Sequence, residues 1–257
     1  MAIVASTFNV LQSVDSTNNY AMAKVHAGMA KHGDSFFTMQ QTNGKGQRGK
    51  HWVGGNDENI AISIVIEPAV LSLSQQFKLS AAVALGTFYF FSAYAGDETT
   101  IKWPNDIYWR DRKAAGILIE NVIGSKGQQP TGQDNMTWKY AVAGIGVNIN
   151  QTQFDAALEN PVSLKQITGK HFDCVELAQA LQQNVLAEVE KVLTGSFEKT
   201  LAQYNKHLFK KGCSVLLKKD SVLFETTIQS VNAAGQLLTT DLIDNLFDFG
   251  EVEWVRR

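Results

Sequence analysis

The stretch QTNGKGQRGKHW, Gln41–Trp52, sets Gly44, Gly46 and Gly49 among Lys45, Arg48, Lys50 and His51 and closes on an aromatic, Trp52. Glycine lets backbone N–H groups approach an anion closely, and the interleaved cations neutralise phosphate oxygens. The spacing satisfies G-x-G-x-x-G, so the fold turns on whether this is the opening of a dinucleotide-binding βαβ unit. A strand does precede it, Ser35–Gln40. No helix can follow, because Trp52-Val53-Gly54-Gly55-Asn56 is a helix-breaking run. The dinucleotide fingerprint requires that helix. A protein-kinase glycine loop requires an H-R-D sequence downstream, and the chain has none. Two readings remain for the stretch by itself: a loop that closes over a phosphate, or a basic surface loop without a ligand.

The background against which the loop stands is neutral. The chain has 257 residues, 44% hydrophobic and 19% charged, with a formal net charge of −2. That is an ordinary globular composition with no global basic field for nucleic acid. Cys174 and Cys213 lie far apart, without the spacing of a zinc site or a disulfide framework, and the histidines show no paired-ligand pattern. The N-terminus lacks the basic start and apolar run of a signal peptide, and no apolar segment reaches the roughly 18 residues of a membrane span. The expectation is a cytoplasmic enzyme.

Working outward from the loop, Phe8–Val14 alternates as a half-buried strand and runs into Asp15-Ser16-Thr17-Asn18. Asp15 or Ser16 can cap a helix over Asn19–Val25, and capping is the plain reading of Ser16. The alternative is that small hydroxyl and amide side chains at a helix start bind a polar head group, such as a urea or carboxylate. Downstream, Asn59–Glu67 reads as a buried strand and Leu73–Tyr94 as a helix packed on a sheet. Thr100–Trp109 is a strand broken at Trp103-Pro104-Asn105-Asp106, which is turn chemistry but delivers Lys102, Asn105 and Asp106 to one strand end. Lys113–Asn121 contains Gly116, which weakens a strand unless something must approach its backbone. Gly124–Asn135 is a polar loop, and Met136–Asn150 a strand carrying Gly144, Gly146 and Asn148, either a bulge or a binding floor. Helices are expected over Val175–Leu193 and on to about Leu208. From about Lys210 the texture changes to five short strands, Cys213–Leu217, Leu223–Val231, Gln236–Thr240, Leu246–Phe249 and Glu251–Val255, suggesting a small SH3-like barrel.

Ser16-Thr17-Asn18, Gln41–Trp52, Lys102-Trp103-Pro104-Asn105-Asp106 with Lys113 behind it, and Gly144–Asn148 stand in a fixed order. With them the chain resembles the biotin protein ligase family over nearly its whole length. K-W-P-N-D followed by K-x-A-G-I-L is the most specific piece. The resemblance implies an α+β fold: a mixed sheet with flanking helices, related to class II aminoacyl-tRNA synthetases and lipoate ligases, over residues 1–209, and an SH3-like unit over 210–257. It implies a two-step reaction with Mg²⁺. Biotin's carboxylate attacks the α-phosphorus of ATP to give biotinyl-5′-AMP and pyrophosphate, and a lysine of a biotin carboxyl carrier domain then attacks the mixed anhydride.

By the same resemblance, Ser16, Thr17, Asn18 and Gln41 bind the biotin head group. Gly44, Lys45, Gly46, Gln47, Lys113, Gly116, Leu118 and Gly144 complete the biotin site. Lys45, Arg48, Lys50, Trp52, Lys102, Asn105, Lys113 and Asn148 fall to the nucleotide. Lys113 bridges carboxylate and α-phosphate, with Lys45 and Arg48 as further catalytic cations. Asp106 either orients Lys113 or helps deprotonate the acceptor lysine. Metal ligands are not implied. The common loop motif G-R-G-R reads Gly44-Lys45-Gly46-Gln47 here, losing bidentate phosphate binding at one position and charge at the next. The expectation is that Arg48 partly substitutes. The chain starts almost at the first strand, so a short form without DNA binding or membrane attachment is expected, as monomer or homodimer. The rivals are a lipoate or octanoate transferase of the same fold, and a non-catalytic module whose small barrel binds a protein or single-stranded nucleic acid.

Overall fold

The computed structural model describes residues 6–52, 57–125 and 136–255. The expectations for residues 53–56, for most of Gly124–Asn135 and for Arg256 and Arg257 lie outside the described residues.

Strand β1 (Phe8–Val14) leads into helix α1 (Thr17–His26), and β2 (Ser35–Gln41) and β3 (Asn59–Ile66) follow. A capped turn then opens α2 (Gln76–Ala95), the strand pair β4 (Thr99–Lys102) and β5 (Asp106–Trp109), and the long strands β6 (Arg112–Ser125) and β7 (Met136–Asn148). A short helix that the periodicity did not reveal, α3 (Leu164–Thr168), precedes α4 (Cys174–Thr194) and α5 (Phe197–Lys206). The broken strand expected over Thr100–Trp109 is therefore a hairpin, split where Trp103-Pro104-Asn105 turns the chain.

The seven strands run in the order β1-β2-β3-β7-β6-β5-β4. β1 and β2 are parallel and every other neighbour antiparallel, which makes the sheet mixed, as expected. Side chains alternate between the two faces of a strand, and here the faces differ in kind. On one, Ile60, Ile62, Ile64 and Ile66 of β3 join Ile145 and Val147 of β7 and Ile117 of β6, none more than 4% exposed, beneath α2 and α4. Each such side chain contributes about 1.5–3 kcal/mol by leaving water. Gly86 lets α2 and α4 touch: a Cβ there would stand 2.5 Å from the Val185 Cα.

The register puts Asn59, Ala61 and Ser63 of β3 on the other face, opposite Asn148, Gly146 and Gly144 of β7, and Gly116 and Leu118 of β6 beyond them. Further along, this face turns apolar at Val65 and Val142, and α1 covers it there with Ala21 and Val25. Helix α1 thus seals one end of the face and leaves the glycine-paved end to the site.

A second sheet follows, with β8 (Ser214–Lys219), β9 (Val222–Val231), β10 (Leu237–Thr240), β11 (Asp244–Phe247) and β12 (Glu253–Val255) in the antiparallel order β11-β10-β9-β8-β12. It is the small SH3-like sheet expected at the C-terminal end. β11 begins two residues earlier than the expected Leu246, because Asp241 accepts the Ile243 N–H at 3.0 Å and closes the turn ahead of it. Asp248-Phe249-Gly250 spells a kinase D-F-G but lies in the β11–β12 turn. Leu217, Ile228, Val231, Leu237 and Phe247 belong to the same apolar cluster as the large sheet, so the texture change near Lys210 marks a change of sheet within one continuous core. Asn205 of α5 clamps the Val231 peptide from both sides, at 2.6 and 2.8 Å. Among the described residues no helix is long and apolar enough to cross a membrane.

Candidate active site

The glycine loop opens no α-helix; its tip, Gln47–Gly49, is a single 3₁₀ turn. It is a tight hairpin-like turn in which Lys45 bridges His51, the Trp52 N–H donates to the Gly44 carbonyl at 2.9 Å and the Gly46 N–H to the Lys50 carbonyl at 2.7 Å. At its tip Arg48 adopts a left-handed conformation, φ 54°, rare for a residue with a side chain. The dinucleotide reading is excluded by geometry as it was by composition.

Trp52 returns the loop to the sheet. Gly116 and Gly146 are cross-strand partners, and a Cβ on Gly146 would stand 2.2 Å from the indole Cε2, one on Gly116 3.2 Å from Cζ3. The paired glycines therefore form a slot that takes a flat bicyclic ring. Inside it the indole Nε1–H is buried without a hydrogen-bond partner. Such an orphan donor costs about 1–3 kcal/mol, which a site made to accept another group can carry.

At the other end of the floor, Gly144 gives way to Asn18, whose Oδ1 lies 2.2 Å from where a Cβ would be. Asn18 belongs to an uncharged network. The Ser63 hydroxyl lies 2.6 Å from Asn18 Oδ1 and 2.8 Å from Thr17 Oγ1, while Gln41 Oε1 accepts the Thr17 N–H at 2.8 Å and hydroxyl at 3.1 Å. Ser16 sits beside them, 1% exposed, and its side chain makes no cap hydrogen bond to α1. The capping reading of the Ser16 side chain is thereby set aside. Ser16 is still the N-cap residue by its backbone, which is extended and whose carbonyl accepts the Tyr20 N–H at 3.0 Å.

Ser63 of this network and Glu120 at its edge were not singled out from sequence. Ser63 carries a signal, since Asn59, Ala61 and Ser63 alternate with isoleucines along a strand read as uniformly buried. Glu120 accepts from Asn18 Nδ2 at 2.8 Å and faces Lys45 Nζ at 3.8 Å, joining the neutral network to the loop. Nothing in its strand's apolar run marked it. Asp15, at the network's rim, has its carboxyl held below the usual range, chiefly by the side chain of Asn19 and then by the Ser16 N–H.

The cations divide into two groups. Lys113 Nζ pairs with Asp106 at 2.8 Å, with side chains 34% and 22% exposed, at the edge of the glycine floor. Asn105 Nδ2 and Gln47 Nε2 both donate to the Ile117 carbonyl, at 2.6 and 3.2 Å, tying turn and loop to β6. Asn148, 4% exposed, holds the Lys113 carbonyl at 3.4 Å. Lys102 shares the face but sits in an aromatic corner toward the second sheet, hydrogen-bonded to the Tyr108 hydroxyl and 5.2 Å from the Trp254 ring. Arg48 also points there, its guanidinium 4.9 Å from the Phe249 ring. Lys50 is exposed, Leu118 half-buried. The structure thus brings Ser16, Thr17, Asn18, Gln41, Gly44, Lys45, Gln47, Trp52, Asn105, Asp106, Lys113, Gly116, Leu118, Gly144 and Asn148 to one face, and sets Lys102 and Arg48 at its margin.

Comparison with known proteins places the chain among biotin and lipoate ligases. Residues 10–131 match the model of the biotin/lipoate A/B protein ligase family. The biotin--[acetyl-CoA-carboxylase] ligase of Paracoccus denitrificans is 34% identical over 179 residues, 67% of this chain and 68% of that one. The bifunctional ligase/repressor BirA of Escherichia coli is 29% identical over 188 residues, 70% of this chain and 53% of its own length. The chain spans about half the length of the BirA proteins of E. coli and Bacillus spizizenii. Among solved structures, the Aquifex aeolicus biotin protein ligase in complex with biotin and ATP superposes with a TM-score of 0.79 at 20% identity, covering 98% of this chain and 100% of that one. The chain belongs to the biotin protein ligase family, within the biotin/lipoate A/B ligases.

Proposed function

We propose that the protein attaches biotin to a specific lysine of a biotin carboxyl carrier domain at the expense of ATP, through biotinyl-5′-AMP. The observation that carries this is the juxtaposition, on one bare sheet face, of an uncharged hydrogen-bonding network with a cationic loop. Thr17, Asn18, Ser63 and Gln41 offer donors and acceptors without net charge, which suits a neutral urea ring and leaves polar groups unpaired against a plain acyl chain. The carboxylate end of such a ligand reaches Lys113.

A carboxylate and a triphosphate repel, so the chemistry needs cations and N–H donors fixed before the reactants meet. Each preorganised donor is worth roughly 3 kcal/mol of barrier. Lys113, held by Asp106, is the cation between the two reactants, and Lys45 the one on the loop. Lys113 neutralises charge on the α-phosphate as the acyl–phosphate bond forms and the bond to pyrophosphate breaks. In the second half-reaction the amine of the acceptor lysine attacks the acyl carbon, AMP leaves, and in this reading the Asp106 carboxylate takes the amine proton. Among the described residues no group of three His, Cys, Asp or Glu could cage a metal, so Mg²⁺ belongs here as part of the nucleotide substrate, on its phosphates.

Residues 1–209 form the catalytic unit in this reading and residues 210–257 the accessory one, in support of which the second sheet is separate. The test is pyrophosphate exchange into ATP with biotin, lipoate or octanoate supplied separately. Biotin-dependent exchange is expected. Exchange with lipoate alone moves the chain to the sister branch, and none with any acid removes the adenylation reading.

A further inference from the structure

Arg48 turns from the sheet floor to the second sheet. Its guanidinium carbon lies 4.9 Å from the Phe249 ring centroid, and Nη2 fills the place of a Gly250 side chain, 1.2 Å from where a Cβ would be. The receiving turn is stiff. The Asp248 N–H donates to Glu251 at 2.8 Å, the Glu251 N–H to the Asp248 carbonyl at 3.1 Å, and Gln236 Nε2 to the Asp248 carboxylate at 3.1 Å. Phe249 also meets Trp103 of the β4–β5 turn edge to face at 6.1 Å, and the Trp103 indole N–H donates to the Gly235 carbonyl at 2.9 Å. One ring of the second sheet therefore touches both pieces of the active site that come from turns. The loop accepts a left-handed residue at Arg48, where glycine would be cheaper, to make the contact.

We propose that Arg48 is a positioning residue, not a phosphate ligand. Seated on Phe249 and over Gly250, it clasps the glycine loop to the second sheet, and the C-terminal sheet thereby sets how much of the time the loop is closed. This replaces the expectation that Arg48 stands in for the missing loop arginine. Its catalytic consequence, retention of the adenylate, rests on the reaction proposed above; the clasp itself does not.

The test is hydrogen exchange read by mass spectrometry on peptides spanning residues 44–52, in the full chain without ligand. Arg48→Ala and Phe249→Leu are each expected to speed exchange there about two- to fivefold, the scale of one lost cation–π contact between exposed side chains. Arg48→Lys should rescue part of the protection, the double variant should exchange no faster than either single one, and β3 and β7 peptides should be unchanged. Unaltered loop exchange in either single variant, or additive effects, overturns the clasp. Kinetics give a second reading: Phe249→Leu should speed adenylate release as Arg48→Ala does. A raised KM for ATP in Arg48→Ala alone, with loop exchange unmoved, makes Arg48 a phosphate ligand and ends the proposal. Loss of biotin-dependent chemistry in the unaltered protein strikes the reaction and leaves the exchange result standing.

Discussion

The two faces of the seven-stranded sheet are built from the same strands and alternate residue by residue, yet they follow opposite rules. Under α2 and α4, β3 presents Ile60, Ile62, Ile64 and Ile66, each wholly buried. On the reverse, the same strand presents Asn59, Ala61 and Ser63 to the small residues Gly144 and Gly146. The first face supplies the burial that holds the molecule together, and because it does so the second can go without side-chain volume. The lesson is that strand alternation separates stability from chemistry on one element: a one-residue step along β3 moves from core to site.

The comparison can be broken most sharply on the bare face. Lys113→Ala should lower kcat/KM in biotin-dependent pyrophosphate exchange roughly a thousandfold. Its thermal midpoint should move little, since the side chain is 34% exposed. A loss of less than tenfold would remove Lys113 from its catalytic role.

Next comes the packed face. Ile62→Ala opens a cavity against α2 and α4 and should cost about 2–5 kcal/mol in denaturant unfolding. The activity of the molecules that remain folded should be unchanged. Altered substrate constants at full folding would show that the faces are not separable.

A smaller effect is expected at the floor. Gly144→Ala pushes a methyl group into Asn18 Oδ1 and away from the Ser63 hydroxyl, and should weaken biotin binding roughly 10- to 100-fold by calorimetry. Nucleotide binding should be spared. Equal losses for both ligands would mean a collapsed floor instead of a disturbed head-group network.

The smallest concerns the margin of the packed face, where α5 ends against β4. The His207 ring lies tilted against Phe88 with centroids 4.2 Å apart, and burial, helped by Lys206, depresses its pKa below the ordinary 6.5. The unfolded chain then binds a proton that the folded one resists. Stability should be complete above about pH 6.5 and fall as pH drops toward the folded value. His207→Gln should flatten that slope between pH 7.5 and 5 by roughly the contribution of one histidine. An unchanged slope would place the acid sensitivity elsewhere.

Much of this was legible from residues alone. β1 was read with its observed ends, and the small sheet strand by strand, because alternation and turn residues are local signals. Gly116 announced that something must approach its backbone, and two groups do: the Trp52 ring, from a loop more than sixty residues earlier, and the Lys113 side chain, 3.2 and 3.3 Å from where a Cβ would be. Glu120 was hidden because it sits in the apolar run KAAGILIEN, and only the register that sets β6 beside β7, with Asn18 above them, gives its carboxylate two partners. Lys102 and Arg48 were assigned to the nucleotide by resemblance, and a resemblance in sequence does not say which way a long side chain turns.

What the sequence by itself determined is the inventory: a glycine loop that cannot start an α-helix, a turn that gathers Asn105 and Asp106, small polar residues at the start of α1, and the strands by kind and order. These follow from backbone sterics and periodicity, which act over a few residues. Only the tertiary structure decided the partners: Trp52 in the slot between Gly116 and Gly146, Asn18 over Gly144, Lys113 with Asp106, and Arg48 on Phe249. Those pairings depend on sheet register and on the docking of one sheet against another, and long-range packing fixes them through shape and burial that no local stretch of chain encodes.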